Sequence, residues 1–227
     1  MLTNISCLGL NTISKHEFER LLNENKPELL DNLSRSKNEI VKTADIILGI
    51  IKHADLQIER KEHLNEWSSV KKIWNVSGFI LFASLDLKTY LELMIISNDA
   101  IQKTAITRMV YIQLYEIART IDELTNIRFV EEIRKIEAAQ YVDLLFEKRK
   151  KLSELRKKYE KELFDVRINV GAHREKNFAV FHDYLCSVEY TASIQLIFDF
   201  GNVIDELGGV LQTIMNQSAA FIKDTYE

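Results

Sequence analysis

The chain has 227 residues, a length that fills one large domain or two small ones. Hydrophobic residues make up 46% and charged residues 28%, fractions typical of globular proteins, which excludes disordered, collagen-like and membrane-embedded chains. The formal net charge of −4 excludes a generic polyanion binder, so any basic binding surface must be local.

A single proline and only seven glycines predict few turns. Because β-hairpins need Gly and Pro at their turns, all-β folds are excluded, and the few long elements that remain are predicted to be helices. Pro27 limits a first helix to about residues 15–25. Residues 1–30 are therefore expected to form an N-terminal extension or a short helix.

Apolar residues then recur at helical spacing through most of the chain. Ser36 is a predicted N-cap for the next helix, and another helix is expected over residues 65–97. Turns are predicted at residues 97–99 and 125–126, with Asn98 and Asp99 available to cap the helix between them.

A fourth long helix is predicted to begin near Phe129 and to reach Gly171, because apolar residues from 152 to 170 step by three or four positions. A last helix is expected over residues 191–221. The glycines that could kink this last helix, or let another helix approach it closely, are Gly201, Gly208 and Gly209.

Short connections between long amphipathic helices indicate antiparallel neighbours. We therefore predict an all-α fold, an antiparallel up-and-down bundle of long helices with short connections. No internal repeat or low-complexity linker interrupts the pattern, so one domain is expected over residues 1–227, with the bundle itself over residues 36–221.

The two cysteines, Cys7 and Cys186, form no CxxC pair, which favours a reducing compartment and predicts a cytoplasmic protein. No apolar run is long enough for a signal peptide or a membrane span, so no membrane partner is expected. The histidines lack metal-ligand spacing, and the usual nucleotide-binding and serine-hydrolase motifs are absent. No metal and no cofactor are therefore expected.

Residues 147–161 are strongly basic, with eight basic against three acidic side chains, a local charge of +5 against −9 for the rest of the chain. This pattern indicates a local anion-binding surface, for which RNA is a candidate ligand, and nothing in it points to DNA. The alternative is a solvated helix face held by the pairs Glu147–Lys151 and Glu154–Lys158. The candidate RNA-binding residues are Lys148, Arg149, Lys150, Lys151, Arg156, Lys157, Lys158 and, further on, Arg174.

Directly after this segment, Arg167 and His173 stand six positions apart. On a helix, this spacing separates two side chains by about 120° and about 9 Å along the axis, at opposite rims of the apolar stripe. Cleavage of RNA by its own 2′-hydroxyl needs a proton carrier near neutral pH and a cation on the phosphate, roles that suit His and Arg and require no metal. Alternatively, Arg167 pairs with Asp165 or Glu162, and His173 merely caps the helix.

The segment Arg167-Ile-Asn-Val-Gly-Ala-His173 resembles the hallmark of the HEPN superfamily (higher eukaryotes and prokaryotes nucleotide-binding), an Arg followed by four to six residues and a His. The Ala172-His173 ending followed by Arg174 is similar to the branch with abortive-infection and toxin–antitoxin members. The resemblance implies a helix bundle, a homodimer that brings two motifs to one cleft, metal-independent endoribonuclease activity and, for toxin-like members, a cognate antitoxin protein.

By this resemblance His173 carries proton transfer and Arg167 stabilises the phosphate. The family usually has a polar residue directly after the Arg, whereas this chain has Ile168, with Asn169 as a supporting polar position one place later. Three hypotheses therefore stand: a HEPN-like ribonuclease or toxin-type effector, a catalytically inactive HEPN-like RNA-binding or regulatory module, and an unrelated helical oligomerisation scaffold.

Overall fold

The computed structural model describes residues 15–61, 63–168 and 189–226. Within these ranges every regular element is helical, which confirms the predicted all-α helix bundle of long helices. The α-helices are α1 (Lys15–Glu24), α2 (Lys26–Glu59), α3 (Leu64–Ile96), α4 (Ala100–Leu124), α5 (Ile127–Lys135), α6 (Val142–Val166) and α7 (Tyr190–Tyr226), with a short 3₁₀ helix at Ala139–Tyr141.

The first long helix, α2, begins ten residues earlier than the sequence predicted, so the expected N-cap at Ser36 is wrong. Pro27 lies in the first turn of α2, where its missing N–H costs no helical hydrogen bond. The buried side chains of the helix share one face from its first turns onward, which makes the earlier start favourable. These side chains are Leu29, Leu33, Ile40, Ile47 and Ala54.

The limits of α3 and α4 agree with the sequence prediction, and so do the turns beside them. The Asp99 carboxylate caps α4, accepting from the backbone N–H groups of Ile101 at 2.6 Å and Gln102 at 3.1 Å. The side chain of Asn126 caps α5 in the same way, accepting from the N–H groups of Arg128 and Phe129. Local capping chemistry thus fixes both helix starts.

The helix predicted to begin near Phe129 is interrupted, and in this respect the prediction is wrong. The helix α5 ends at Lys135, and Glu137 adopts a positive φ of 58° that no α-helix accommodates. Ile136 and Ala138 on either side of it are fully buried, so packing of the turn offsets the cost of the left-handed residue. The basic segment therefore lies on a separate helix, α6, which starts at Val142.

The predicted end of α6 falls partly outside the described residues. The α-helix runs to Val166, and Arg167 and Ile168 continue it as a wider π turn. Gly171 lies outside the described residues. In α7, a Cβ added at Gly201, Gly208 or Gly209 would meet no atom within 4 Å, so the predicted close helix approach at these glycines is wrong. A close approach does occur at Gly78 of α3, whose added Cβ would lie 3.3 Å from Ile47.

The described residues divide into two compact units, and the long helices contribute to both. The first unit takes the described residues of 1–37, 86–117 and 155–202. Its core is a set of fully buried or nearly fully buried side chains: Leu33, Leu91, Met94, Leu114, Leu163 and Phe200. The prediction of a single domain over residues 1–227 stays a prediction.

The second unit takes the described residues of 38–85, 118–154 and 203–227. Its core is built in the same way from aliphatic side chains: Ile73, Ile80, Ile121, Ile133, Leu145 and Ile214. In the described ranges of both units, no helix combines the length and the apolarity that a membrane span requires.

Candidate functional site

Arg167 lies in the first unit at the point where α6 changes from α to π winding. A π turn widens the helix and occurs often at functional sites, because it moves a side chain off the regular α-helical surface. The Arg167 side chain keeps 25% of its surface exposed, so it is neither a core residue nor a freely solvated one. This is the half-buried rim position that the sequence predicted for it.

The Arg167 guanidinium is held by a carboxylate from another helix. Its Nε donates a hydrogen bond to Glu116 Oε1 of α4 at 2.5 Å, and the Glu116 side chain is 35% exposed. This ion pair joins Arg167 to another helix, and Glu162, one of the two partners considered for Arg167 on its own helix, accepts a hydrogen bond from Tyr111. The hydrogen bond that Arg167 donates to Glu116 raises the pKa of Arg167, so the guanidinium stays charged.

Two aromatic rings complete this arrangement. The guanidinium carbon of Arg167 lies 5.0 Å from the centroid of the Tyr115 ring, within range of a cation–π contact. The Phe164 ring lies 6.1 Å from that of Tyr115 at an angle of 54°. We call these four residues, Arg167, Glu116, Tyr115 and Phe164, the Arg167 cluster.

The other predicted motif residues, Asn169, His173 and Arg174, lie outside the described residues. Ile168, directly after Arg167, is described and is partly buried in the π turn. The angular relation predicted between Arg167 and His173 therefore also extends outside the described residues and stays a prediction.

In the second unit, part of the basic segment is engaged in ion pairs. Lys151 Nζ lies 3.0 Å from Glu206 Oε2 of α7 and 3.8 Å from Glu147, the pair that the sequence predicted. Lys148 lies 3.0 Å from Glu147 and 3.2 Å from Glu206. Hydrogen bonds from Lys148 and Lys151 lower the pKa values of Glu147 and Glu206, respectively, so both carboxylates are ionised near neutral pH. These two lysines are therefore largely neutralised within the protein.

Two further candidates in the second unit, Arg149 and Lys150, have weaker partners. The guanidinium of Arg149 lies 5.5 Å from the centroid of the Phe146 ring, and its buried Nε has no hydrogen-bond partner among the described residues. Lys150 Nζ lies 3.9 Å from Glu154, at the limit of an ion pair. Lys150 is exposed on α6 and retains most of its hydration.

In the first unit, the predicted pair Glu154–Lys158 is replaced by another contact. Lys158 Nζ lies 4.6 Å from the centroid of the Tyr159 ring, and the interaction with Tyr159 raises the pKa of Lys158. Arg156 is partly buried, whereas Lys157 and Lys161 are exposed and make no ion pair within the described part of the chain. Lys157 and Lys161, exposed and without an ion pair among the described residues, thus lie on the last turns of α6 before Arg167.

Sequence reasoning missed three members of the Arg167 cluster. Glu116 and Tyr115 stand 51 residues or more before Arg167 and gave no sequence signal. Phe164 did give a sequence signal, since it lies off the apolar stripe of a charged helix. In the structure its side chain is 45% exposed. Lys161 was counted in the basic segment but not selected as a binding residue.

A second charge cluster lies in the second unit around Glu132 of α5, which is only 5% exposed. Its carboxylate accepts hydrogen bonds from Ser69 at 2.6 Å, Lys72 at 2.5 Å and Lys135 at 3.0 Å. Burial alone would raise the pKa of Glu132, but these donors outweigh it and lower the pKa to about 2. We call these four residues the Glu132 cluster.

Comparisons with known proteins give no assignment. No family model matches the chain, and no curated protein and no solved structure matches it. Among the described side chains, no group of three or more His, Cys, Asp or Glu residues is arranged to hold a metal ion. The geometry of the Arg167 cluster and the motif in the sequence are therefore the basis for a functional proposal.

Proposed function

We propose that the chain is a HEPN-like, metal-independent endoribonuclease or toxin-type effector, with Arg167 and His173 as its catalytic residues. The observation that carries the proposal is the position of Arg167, the first motif residue, in a π turn at a partly exposed surface, with its guanidinium over the Tyr115 ring. A purely structural arginine would be expected to have all its donors satisfied in the interior.

Arg167 is suited to bind a phosphate while it remains paired to Glu116. A guanidinium has five N–H donors, and the ion pair uses the one on Nε. The terminal nitrogens provide the planar fork that fits two oxygens of a phosphate. The cluster thus holds the cation in place and leaves its charge close to solvent, where a non-bridging phosphate oxygen can accept from it.

His173 is proposed to carry the proton transfers, because a histidine titrates near neutral pH. In the reaction, the 2′-hydroxyl oxygen of the RNA attacks the adjacent phosphorus as its proton leaves to a base. The bond from phosphorus to the 5′-oxygen breaks, and that oxygen takes up a proton. The products are a 2′,3′-cyclic phosphate and a 5′-hydroxyl, and Arg167 stabilises the charge that builds on the phosphate oxygens.

The basic residues of the first unit support RNA as the substrate. Lys157 and Lys161 are exposed beside the Arg167 cluster on the same helix and can contact successive phosphates. The resemblance to the HEPN family adds two partners to the proposal, a second copy of the chain in a homodimer and a cognate antitoxin protein. Light scattering of the purified protein tests the first of these.

The test is cleavage of single-stranded RNA in the presence of EDTA. We expect the wild-type protein to produce 2′,3′-cyclic phosphate ends, and Arg167→Ala and His173→Ala to lower the rate by at least about a hundredfold. Matched controls are Arg119→Ala, another arginine paired to a single glutamate, and His53→Ala, an exposed histidine outside the motif. Equal rates for the motif variants and their controls would overturn the proposal.

A catalytically inactive RNA-binding or regulatory module is the second candidate. Ile168 favours it, because an aliphatic side chain at this position cannot take part in proton transfer. In that case RNA would bind to the wild-type protein but remain intact. An Ile168→Asn substitution would then be expected to restore measurable cleavage.

A further inference from the structure

The Phe164 ring occupies an unusual position on α6. The apolar stripe of this helix is buried through Leu152, Leu163 and Val166, each at most 3% exposed, whereas Phe164 points away from the stripe and remains 45% exposed. Exposing a large aromatic surface to water is unfavourable, and the core of the first unit does not need this ring. The ring is therefore available to contact a ligand or a partner.

The surroundings of Phe164 are aromatic and cationic. The Tyr115 ring centroid lies 6.1 Å from that of Phe164 and 5.0 Å from the guanidinium carbon of Arg167, so both groups contact the same ring. Phe164 and Arg167 are three residues apart on the same helix, which places their side chains next to each other. An unpaired nucleobase has the same flat π surface and stacks on aromatic rings and guanidinium planes.

The charges nearby select a polyanion over an apolar partner. Lys157 and Lys161 precede Phe164 by seven and three positions, so all three lie on one face of the helix. Both lysines are exposed and make no ion pair among the described residues. A partner protein with an apolar surface would have to desolvate these ammonium groups, whereas the phosphates of a nucleic acid would bind them.

We propose that Phe164 is a base-stacking, specificity-determining residue, which takes an unpaired nucleobase adjacent to the phosphate held by Arg167. This inference rests on the proposed function and narrows its substrate to single-stranded RNA. Bases in a duplex are already stacked on their neighbours and cannot reach the ring. A single-stranded segment offers a base to Phe164 and its phosphates to Arg167 and the lysines at the same time.

The first test measures binding with a short single-stranded oligoribonucleotide that carries 2′-O-methyl groups, so that cleavage cannot occur. Phe164→Leu keeps an apolar side chain but removes the ring, and we expect it to raise the Kd about tenfold. Phe164→Trp should keep or improve the affinity. Phe82→Leu, which changes another exposed phenylalanine, serves as the matched control and should have no effect.

The second test leaves the protein unchanged and alters the RNA. An abasic nucleotide is placed at each position of the oligonucleotide in turn, and one position should lower the affinity of the wild-type protein about tenfold. An abasic nucleotide at that position should not lower the affinity of the Phe164→Leu variant any further, because both changes remove the same contact. A hairpin duplex of the same sequence should bind more weakly than the single strand.

The outcomes separate this inference from the proposed function. If the wild-type protein cleaves RNA but Phe164→Leu and the abasic substitutions change nothing, the stacking role is overturned and the ribonuclease stands. If RNA binds with the expected sensitivity to Phe164 but is not cleaved, the stacking role stands and the catalytic proposal fails. A Phe164→Leu variant that changes only the oligomeric state, or a wild-type protein that binds no RNA, overturns the stacking role.

Discussion

Glu132 in the second unit and Glu116 in the first unit each bind a cation on a different helix, but their surroundings differ. The Glu132 carboxylate is 5% exposed and accepts from Ser69 and from two lysines. The Glu116 carboxylate has one arginine partner, and both side chains are partly exposed. The Glu132 carboxylate is thus a buried anion with three hydrogen-bond donors, whereas the Glu116 carboxylate is a partly exposed anion with one arginine partner.

The difference between the two clusters separates structural charge pairing from charge pairing at a binding surface. Removing a buried carboxylate leaves its donors without their acceptor and costs stability. Removing an exposed one costs little, because water and salt already screen the pair. We therefore expect changes in the Glu132 cluster to affect folding, and changes in the Arg167 cluster to affect ligand binding.

The largest effect on stability is expected for Glu132→Gln. The amide keeps the shape of the side chain but loses the charge that binds Lys72 and Lys135, and we expect a loss of about 2–4 kcal/mol in the free energy of unfolding. Urea denaturation measures this loss. The matched control is Glu123→Gln, an exposed glutamate paired to Arg119, for which less than about 0.5 kcal/mol is expected. Similar losses of unfolding free energy in Glu132→Gln and Glu123→Gln would show that burial of the carboxylate does not determine its contribution to stability.

A somewhat smaller loss of stability is expected when the pH is lowered. The pKa of Glu132 is about 2 in the folded protein and about 4.5 when the carboxyl is free, so the folded state holds the ionised form more strongly. This stabilisation is complete above about pH 4.5 and is lost as the pH falls towards 2, on the order of 2–3 kcal/mol in total. Urea midpoints measured across this range should fall more steeply for the wild type than for Glu132→Gln. If the urea midpoints of the two proteins fell in parallel with pH, the low pKa of Glu132 in the folded state would be contradicted.

Helix caps and periodic apolar faces made much of the fold predictable. Asp99 and Asn126 cap their helices through hydrogen bonds to neighbouring residues, and such local signals can be read in one sequence. The prediction of Ser36 as an N-cap was wrong, because Ser36 matches a capping pattern but lies within a helix whose buried face already starts at Leu29. The break at Glu137 was also unpredictable, since it depends on the burial of its neighbours and not on its own helix propensity.

The candidate site was predictable only where its residues are close in the chain. The motif arginine and the basic segment were found because both are short, local patterns that follow one another along the chain. Glu116 was not found, because its contact with Arg167 spans 51 residues and depends on how α4 packs in the first unit. The identity of the partner matters chemically, since a carboxylate from α4 orients the guanidinium and competes with phosphate for it.

The smallest effect is expected for Glu116→Gln. The variant keeps a hydrogen-bond acceptor beside Arg167 but removes a negative charge that repels phosphate, and we expect RNA to bind about two- to threefold more tightly at low salt. The midpoint of unfolding should hardly change, in contrast to Glu132→Gln. Titration of the non-cleavable oligonucleotide measures the affinity, and raising the salt concentration should abolish the difference. Weaker binding would mean that Glu116 acts mainly by positioning Arg167, and a large loss of stability would place this pair with the Glu132 cluster.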